Sequence, residues 1–176
     1  MSVDEFLNKS TQSTNFLVAM ANEVILKESP VSMNTIGLRI MEACGIDKPN
    51  QKIRERIDYV IRATRIKPVP DGNIIFFWKS GDDPLAYDFY RKPTADYVRD
   101  PEDIHSGEAA CAILEAIREQ FGIPEAESMV AGARKLGIAR MTPAAKDLME
   151  RGMDILKNEN AVTLDSNGML QCKTVL

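Results

Sequence analysis

KPNQKIRERIDYVIRATRIK, residues Lys48–Lys67, is the most basic run of an acidic chain: seven lysines and arginines against Glu55 and Asp58, in 176 residues of formal charge −4. Asn50 offers the run an oxygen that can accept from the free N–H groups of a helix start. At about 100° per residue, Ile53, Ile57, Val60, Ile61 and Thr64 share one stripe, the pattern of a helix with one buried face. The run therefore predicts a helix from Asn50 to about Arg65. Lys52, Arg56 and Tyr59 fall on one flank of its outer face, Arg54 and Arg65 on the other, and Gln51, Glu55 and Arg62 between. Asp58 and Arg62 stand four apart, a spacing that favours an ion pair worth about 0.2–0.5 kcal/mol.

Working outward from this helix, the upstream chain supplies two more. Phe16, Leu17, Met20, Ala21, Val24 and Ile25 recur at helical spacing until Ser29-Pro30 stops them, because a residue before proline avoids the helical region. Ser32 can cap a second helix that turns Ile36, Ile40, Met41 and Cys44 inward and ends at Gly45, a residue at ease in a left-handed C-terminal conformation. Residues 1–13, rich in Ser, Thr and Asn, read as a flexible tail. Downstream, Ile66–Val69 and Ile74–Trp78 flank Pro70-Asp71-Gly72-Asn73 and read as a hairpin. Three helices and a hairpin is the order of a winged helix-turn-helix, here spanning residues 14–78.

The order then returns over residues 106–176. Ala110, Ile113, Leu114 and Ile117 mark one helix, Val130, Ala133 and Leu136 a second that ends at Gly137, and Thr142-Pro143 opens a third that buries Leu148, Met149, Met153 and Leu156. Residues 161–164 and 169–172 flank Asp165-Ser166-Asn167-Gly168 as a second hairpin. Gly45-Ile46 matches Gly137-Ile138 at a spacing of 92 residues, and Gly72 matches Gly168 at 96, which places a small insertion at the second wing. A period this long signals duplicated domains, since solenoid repeats are shorter. The fold class expected is α+β, predominantly helical, with tandem duplicated winged helix-turn-helix modules. Between the copies, residues 79–105 hold Pro84, Pro93 and Pro101, seven acids including Asp96, and the rings of Tyr87, Phe89, Tyr90 and Tyr97. Aromatics are unusual in a flexible spacer, so this segment reads as an acidic, aromatic linker strap seated between the copies.

With the repeats and strap assembled, the chain resembles a bacterial domain family of unknown function found at the C-terminal end of large proteins with a superfamily-one helicase core and a Vsr-like endonuclease domain. The resemblance rests on Glu28-Ser29-Pro30-Val31, Lys52-Ile53-Arg54-Glu55, Arg91, the run Arg99–Ile104, and Glu108 with the Ala-rich helix after it. It covers about residues 17–172. It departs from that pattern in standing apart from any helicase or nuclease segment, and in lacking a basic third helix in the second copy. The resemblance brings no catalytic residues; it implies an accessory or nucleic-acid-guiding role near DNA-processing or defence machinery, with a helicase or nuclease as partner.

Chemistry-bearing residues are sparse. The cysteines Cys44, Cys111 and Cys172 are odd in number and far apart, which argues against a disulfide framework or a zinc site and for free buried thiols. His105, the single histidine, sits at a helix start, where capping is the expected role. Asp100, Glu102 and Asp103 are interrupted by Pro101 and more naturally supply negative charge to the start of the next helix than hold a metal. Trp78 reads as a core anchor. No glycine-rich phosphate loop or nucleophile motif is present, so neither cofactor, metal nor enzymatic activity is expected. No apolar run reaches the ~18–20 residues that span a bilayer, and Asp4 and Glu5 break the order of a secretory signal, so a cytoplasmic protein with no membrane contact is expected.

The function expected is therefore non-enzymatic. Lys52, Arg54, Arg56, Tyr59, Arg65 and Lys67 are the candidate nucleic-acid-binding residues, on a third helix of the kind that enters a DNA groove. In the second copy Lys146, Arg151 and Lys157 are balanced by Asp147, Glu150 and Asp154, and Gly152 would allow another helix to approach closely. That copy is expected to mediate self-association, giving a homo-oligomer, or to dock a partner. The alternative for the whole chain is a protein-interaction or self-association scaffold with no direct nucleic-acid contact, its basic helix covered by the acidic strap.

Overall fold

The caps read from the sequence at Ser32, Asn50 and Thr142 form as hydrogen bonds in the computed structural model. The structure describes residues 1–83, 86–94, 97–120 and 122–173, so Pro84, Asp96 and residues 174–176 lie outside the described residues. Among the described residues the protein is mixed α and β, mostly helical, with seven α-helices and two three-stranded antiparallel sheets. The chain divides into two compact units, Met1–Asp82 and Asp83–Leu176.

The first unit runs α1 (Val3–Leu7), α2 (Thr11–Glu28), β1 (Val31–Ser32), α3 (Met33–Ala43), α4 (Gln51–Ala63), β2 (Val69–Asp71) and β3 (Ile74–Phe77). Ser32 accepts from the Thr35 N–H and Asn50 from the Ile53 N–H, each at 3.0 Å, so α3 and α4 begin where their caps dictate. Gly45 follows α3 at φ 68°, as its stop requires. The hairpin turns at Gly72-Asn73 with Gly72 at φ 60°, the conformation that a two-residue turn needs at its first position. Strand β3 is central: Phe77 pairs with Val31 of β1, and Phe76 with both Ser32 and Val69 of β2. The two-residue strand β1 is absent from the sequence reading, because a pair of residues after a proline has no periodicity of its own and becomes a strand only through its partner.

The flexible tail expected over residues 1–13 is corrected. Ser2 and Glu5 close a capping box around α1, and Phe6 is fully buried among Leu17, Val60 and their neighbours in the first core. One buried aromatic ring removes enough apolar surface from water, about 1.5–3 kcal/mol, to order a five-residue helix that propensity alone would leave unformed.

The second unit repeats the element order: α5 (Ser106–Gln120), β4 (Ile123–Pro124), α6 (Glu125–Lys135), α7 (Pro143–Asn158), β5 (Val162–Leu164) and β6 (Met169–Cys172). Its sheet order, β4-β6-β5, is that of β1-β3-β2. Thr142 caps α7 by accepting from the Ala145 N–H at 3.2 Å, and proline follows at the first helical position. Helix α7 is three residues longer than α4, with 16 residues against 13, which is where the second hairpin falls out of step.

The acidic, aromatic linker strap expected over residues 79–105 is not a segment of its own. From Asp83 onward it belongs to the second unit. Tyr90 donates to Glu115 of α5, and the rings of Tyr87 and Phe89 stand 4.4 Å apart. A Cβ on Gly137, which already sits at φ 83°, would come within 2.8 Å of Pro93, so this glycine serves both a helix stop and the passage of the strap. No helix among the described residues is long and apolar enough to cross a membrane.

Candidate nucleic-acid interface

Helix α4 places its charged residues by simple periodicity. Ile53, Ile57, Val60 and Ile61 are buried, and Lys52, Arg54, Tyr59 and Arg62 are exposed, as the stripe predicts. Lys48 before the helix and Arg65 and Lys67 after it are exposed as well. Among the described residues, no carboxylate lies within ion-pair distance of any of these six bases. The expected Asp58–Arg62 pair does not form, which leaves the Arg62 guanidinium in water. Glu55 instead accepts from Gln51 Nε2 at 3.0 Å.

Arg65 is held in an unusual backbone conformation. It follows the Thr64 C-cap at φ 60°, in the left-handed region that a side chain with a Cβ enters at a cost of about 1–2 kcal/mol. Glycine is the usual occupant of that place after a helix. The equivalent place after α7 is filled by Asn160 at φ 53°, a residue type that tolerates the region better.

Arg56 is the one candidate the structure removes. It is 2 % exposed, and its guanidinium points inward to α1: Nε donates to the Phe6 carbonyl at 3.2 Å, and Nη2 to the Asn8 carbonyl at 2.7 Å and to Thr14 Oγ1 at 3.0 Å. Those carbonyls lie at the end of α1, where the helix leaves acceptors without internal partners and favours a cation. Arg56 stands at the edge of the apolar stripe, where helical periodicity alone places it on a flank of the outer face, and the contact with α1 turns it inward. Its Nη1 is buried with no hydrogen-bond partner, and its Cζ lies 5.5 Å from the Tyr59 ring centroid. Burial pushes the Arg56 pKa below its ordinary value.

The bases of the second unit are spent differently. On α7, Lys146 pairs with Glu150 at 3.5 Å and Arg151 with Asp147 at 3.0 Å, while Lys157 reaches Glu125 of α6 at 2.7 Å. A Cβ on Gly152 would meet Ala109 at 2.8 Å, so its close approach is to α5 of the same unit and is not open to a second molecule. That corrects the physical basis for expecting self-association through this glycine.

Three of the segments behind the family resemblance converge on Glu108, which has no exposed surface. Arg91 Nη2 and Arg99 Nη1 each reach Oε1 at 2.6 Å, Arg99 Nη2 reaches Oε2 at 2.8 Å, and the Arg91 N–H donates to Oε2 at 2.9 Å. Burial would raise the pKa of this carboxyl; the hydrogen bonds from Arg99 and Arg91, with their charges, outweigh it and hold the carboxyl below its ordinary value. In the first unit Glu28 of the same motif set accepts from Arg39 Nε at 2.8 Å, and Ser29 Oγ accepts from the Lys79 N–H at 3.0 Å. The sequence marked these residues without indicating that they were ion-pair partners.

The remaining candidates take structural places. His105 is buried and its Nδ1 accepts from the Gly107 N–H at 3.0 Å, a cap on α5. Asp100, Glu102 and Asp103 belong to a short 3-10 turn, Pro101–Asp103, ahead of α5, and no group of three ligating side chains occurs among the described residues. Trp78 is buried. The three cysteines are free, but only Cys44 is fully buried; Cys111, half-buried, has its thiol pushed up to about 11 by burial and then by nearby Asp88 and Glu108. It is a poor nucleophile at neutral pH. Comparison with protein-family models, curated proteins and solved structures found no match.

Proposed function

We propose that the chain is a tandem winged-helix protein without enzymatic activity, and that its first unit binds double-stranded DNA through the outer face of α4. The observation that carries this reading is the set of six exposed bases, Lys48 through Lys67, that pair with no carboxylate among the described residues. Such a field raises the local concentration of a polyanion and releases counterions on binding. The shared element order and sheet order of the two units support a duplicated winged helix, in which the third helix approaches the duplex. Lys52, Arg54, Tyr59, Arg65 and Lys67 remain the contact residues of this reading, joined by Lys48 and Arg62, and Arg56 leaves it.

Fluorescence anisotropy of the full chain with a labelled duplex tests the proposal. Affinity should fall with salt at a log–log slope of about −0.9 for each phosphate neutralised, near −4 to −5 if most of these bases take part. No binding at low salt overturns it.

The resemblance to helicase- and nuclease-linked domains makes a cytoplasmic accessory to DNA-processing machinery the setting of this reading. The neutralised α7 favours a second role for the other unit, docking a partner protein or another copy of the chain. Light scattering at high concentration checks self-association: a strict monomer removes it. Were the whole chain a protein-interaction scaffold instead, the duplex titration would stay flat.

A further inference from the structure

The exposed face of α4 is not uniformly basic. At about 100° per residue, Gln51, Glu55, Asp58 and Arg62 fall along the middle of that face, with Lys52 about 80° to one side and Arg54 about 80° to the other. Glu55 is exposed near the N-terminal end of the helix and accepts at Oε1 from Gln51 Nε2 at 3.0 Å. Asp58 is half-buried one turn further on. A helix that only clung to phosphates would lose affinity by carrying carboxylates between its cations, because like charges facing each other across an interface repel.

A helix seated in a groove meets a different pattern of chemistry. Its flanks face the two phosphate strands and its middle faces base edges. On α4 Lys52 and Arg54 stand at the two flanks, and the hydrogen-bonding side chains of Gln51, Glu55, Asp58 and Arg62 lie between them, an arrangement that suits the cross-section of a major groove.

We propose that α4 reads DNA sequence, with Glu55 as a specificity-determining residue that accepts a hydrogen bond from the exocyclic amine of a cytosine. This rests on the reading above that α4 meets duplex DNA. Cytosine's own major-groove edge carries the N4 donor and no acceptor, whereas adenine sets N7 beside its N6 amine, an edge that suits an amide and repels a carboxylate. Gln51 is a positioning residue: its hydrogen bond fixes one Glu55 oxygen and leaves the other free for the base. Duplex RNA is excluded as the target, since its major groove is too deep and narrow for side chains to read.

In vitro selection from a duplex DNA library with a randomised centre tests this on the full chain, comparing the wild type with Glu55→Ala and Gln51→Ala. Wild type should enrich a motif with a fixed C·G pair. Glu55→Ala should lose about tenfold of the preference at that pair. It should also bind unselected duplex at least as tightly, a carboxylate having left the phosphate field. Gln51→Ala should weaken the same preference partially. Unchanged thermal melting shows that the variants fold. Wild-type binding without any enriched motif overturns the proposal while leaving duplex binding intact, as does a Glu55→Ala variant that selects the wild-type motif with undiminished preference. Failure of the wild type to bind any duplex overturns both readings together.

Discussion

The arginines of the two units occupy opposite environments. In the second unit Arg91 and Arg99 converge on the buried Glu108, and Arg151 folds back on Asp147 along its own helix. In the first, Arg54, Arg62 and Arg65 are exposed and pair with no carboxylate among the described residues. Arg56 shows a third arrangement, buried against carbonyl and hydroxyl oxygens with no acid at all. The same residue type thus acts as a structural bolt or a field source, and what decides is where the acceptors lie. A count of charges along the sequence sees none of this.

The largest effect expected from breaking this contrast is at Glu108. Glu108→Gln keeps the shape of the side chain but leaves two guanidinium groups without their shared charge, and urea unfolding of the second unit should show a loss of about 3–5 kcal/mol. A loss no greater than that of an exposed ion pair would mean that Arg91 and Arg99 find other acceptors. Because the folded pKa of Glu108 lies below its ordinary 4.5, its contribution is complete above that value and disappears as pH falls through the lowered one. Acid titration of stability should show this step in the wild type and not in Glu108→Gln.

Next in size is Arg56→Met, which removes the donors that reach the end of α1. Hydrogen bonds to a charged group are worth about 1.5–3 kcal/mol, and thermal melting of the first unit should fall accordingly. Duplex affinity per folded molecule should not change, and a drop would return Arg56 to the contact surface. Lys52→Glu with Arg54→Glu should do the reverse: melting is unaltered, while duplex affinity falls about tenfold or more and the salt slope flattens by about 2.

The smallest effect is at Arg65. Arg65→Gly relieves its left-handed backbone and should stabilise the first unit by up to about 1 kcal/mol while weakening duplex binding. Asn160→Gly, at the matching place after α7, should be nearly neutral in both assays. A destabilised Arg65→Gly would show that the arginine side chain makes contacts that outweigh the strain.

Local chemistry was readable in the sequence. The caps Ser32, Asn50 and Thr142, the glycine stops Gly45 and Gly137 and both hairpins are written in adjacent residues, so spacing and residue type sufficed. The spacing of 92 residues between Gly45 and Gly137 also holds for the starts of α3 and α6 and of α4 and α7. What stayed hidden depends on partners distant in the chain. Strands β1 and β4 exist only because β3 and β6 pair with them. Glu108 meets arginines 9 and 17 residues away, and Arg56 meets acceptors 42 to 50 residues away. Of the candidate site, the exposed flanks were legible from helical periodicity. The loss of Arg56 from them was not, because the helix that covers it is only five residues long and set in a polar stretch, too short to show a helical period.

The clasp between Arg56 and α1 bears on how the protein should be handled. A chain trimmed to begin at Thr11, as the polar composition of the preceding residues invites, would lose the Phe6 and Asn8 carbonyls and open the socket of the Phe6 ring. It would also turn a guanidinium outward beside Lys52 and Tyr59, adding a cation that the intact surface does not present. Duplex titrations on such a fragment would register an artefact of trimming as affinity, with a steeper salt slope as its signature.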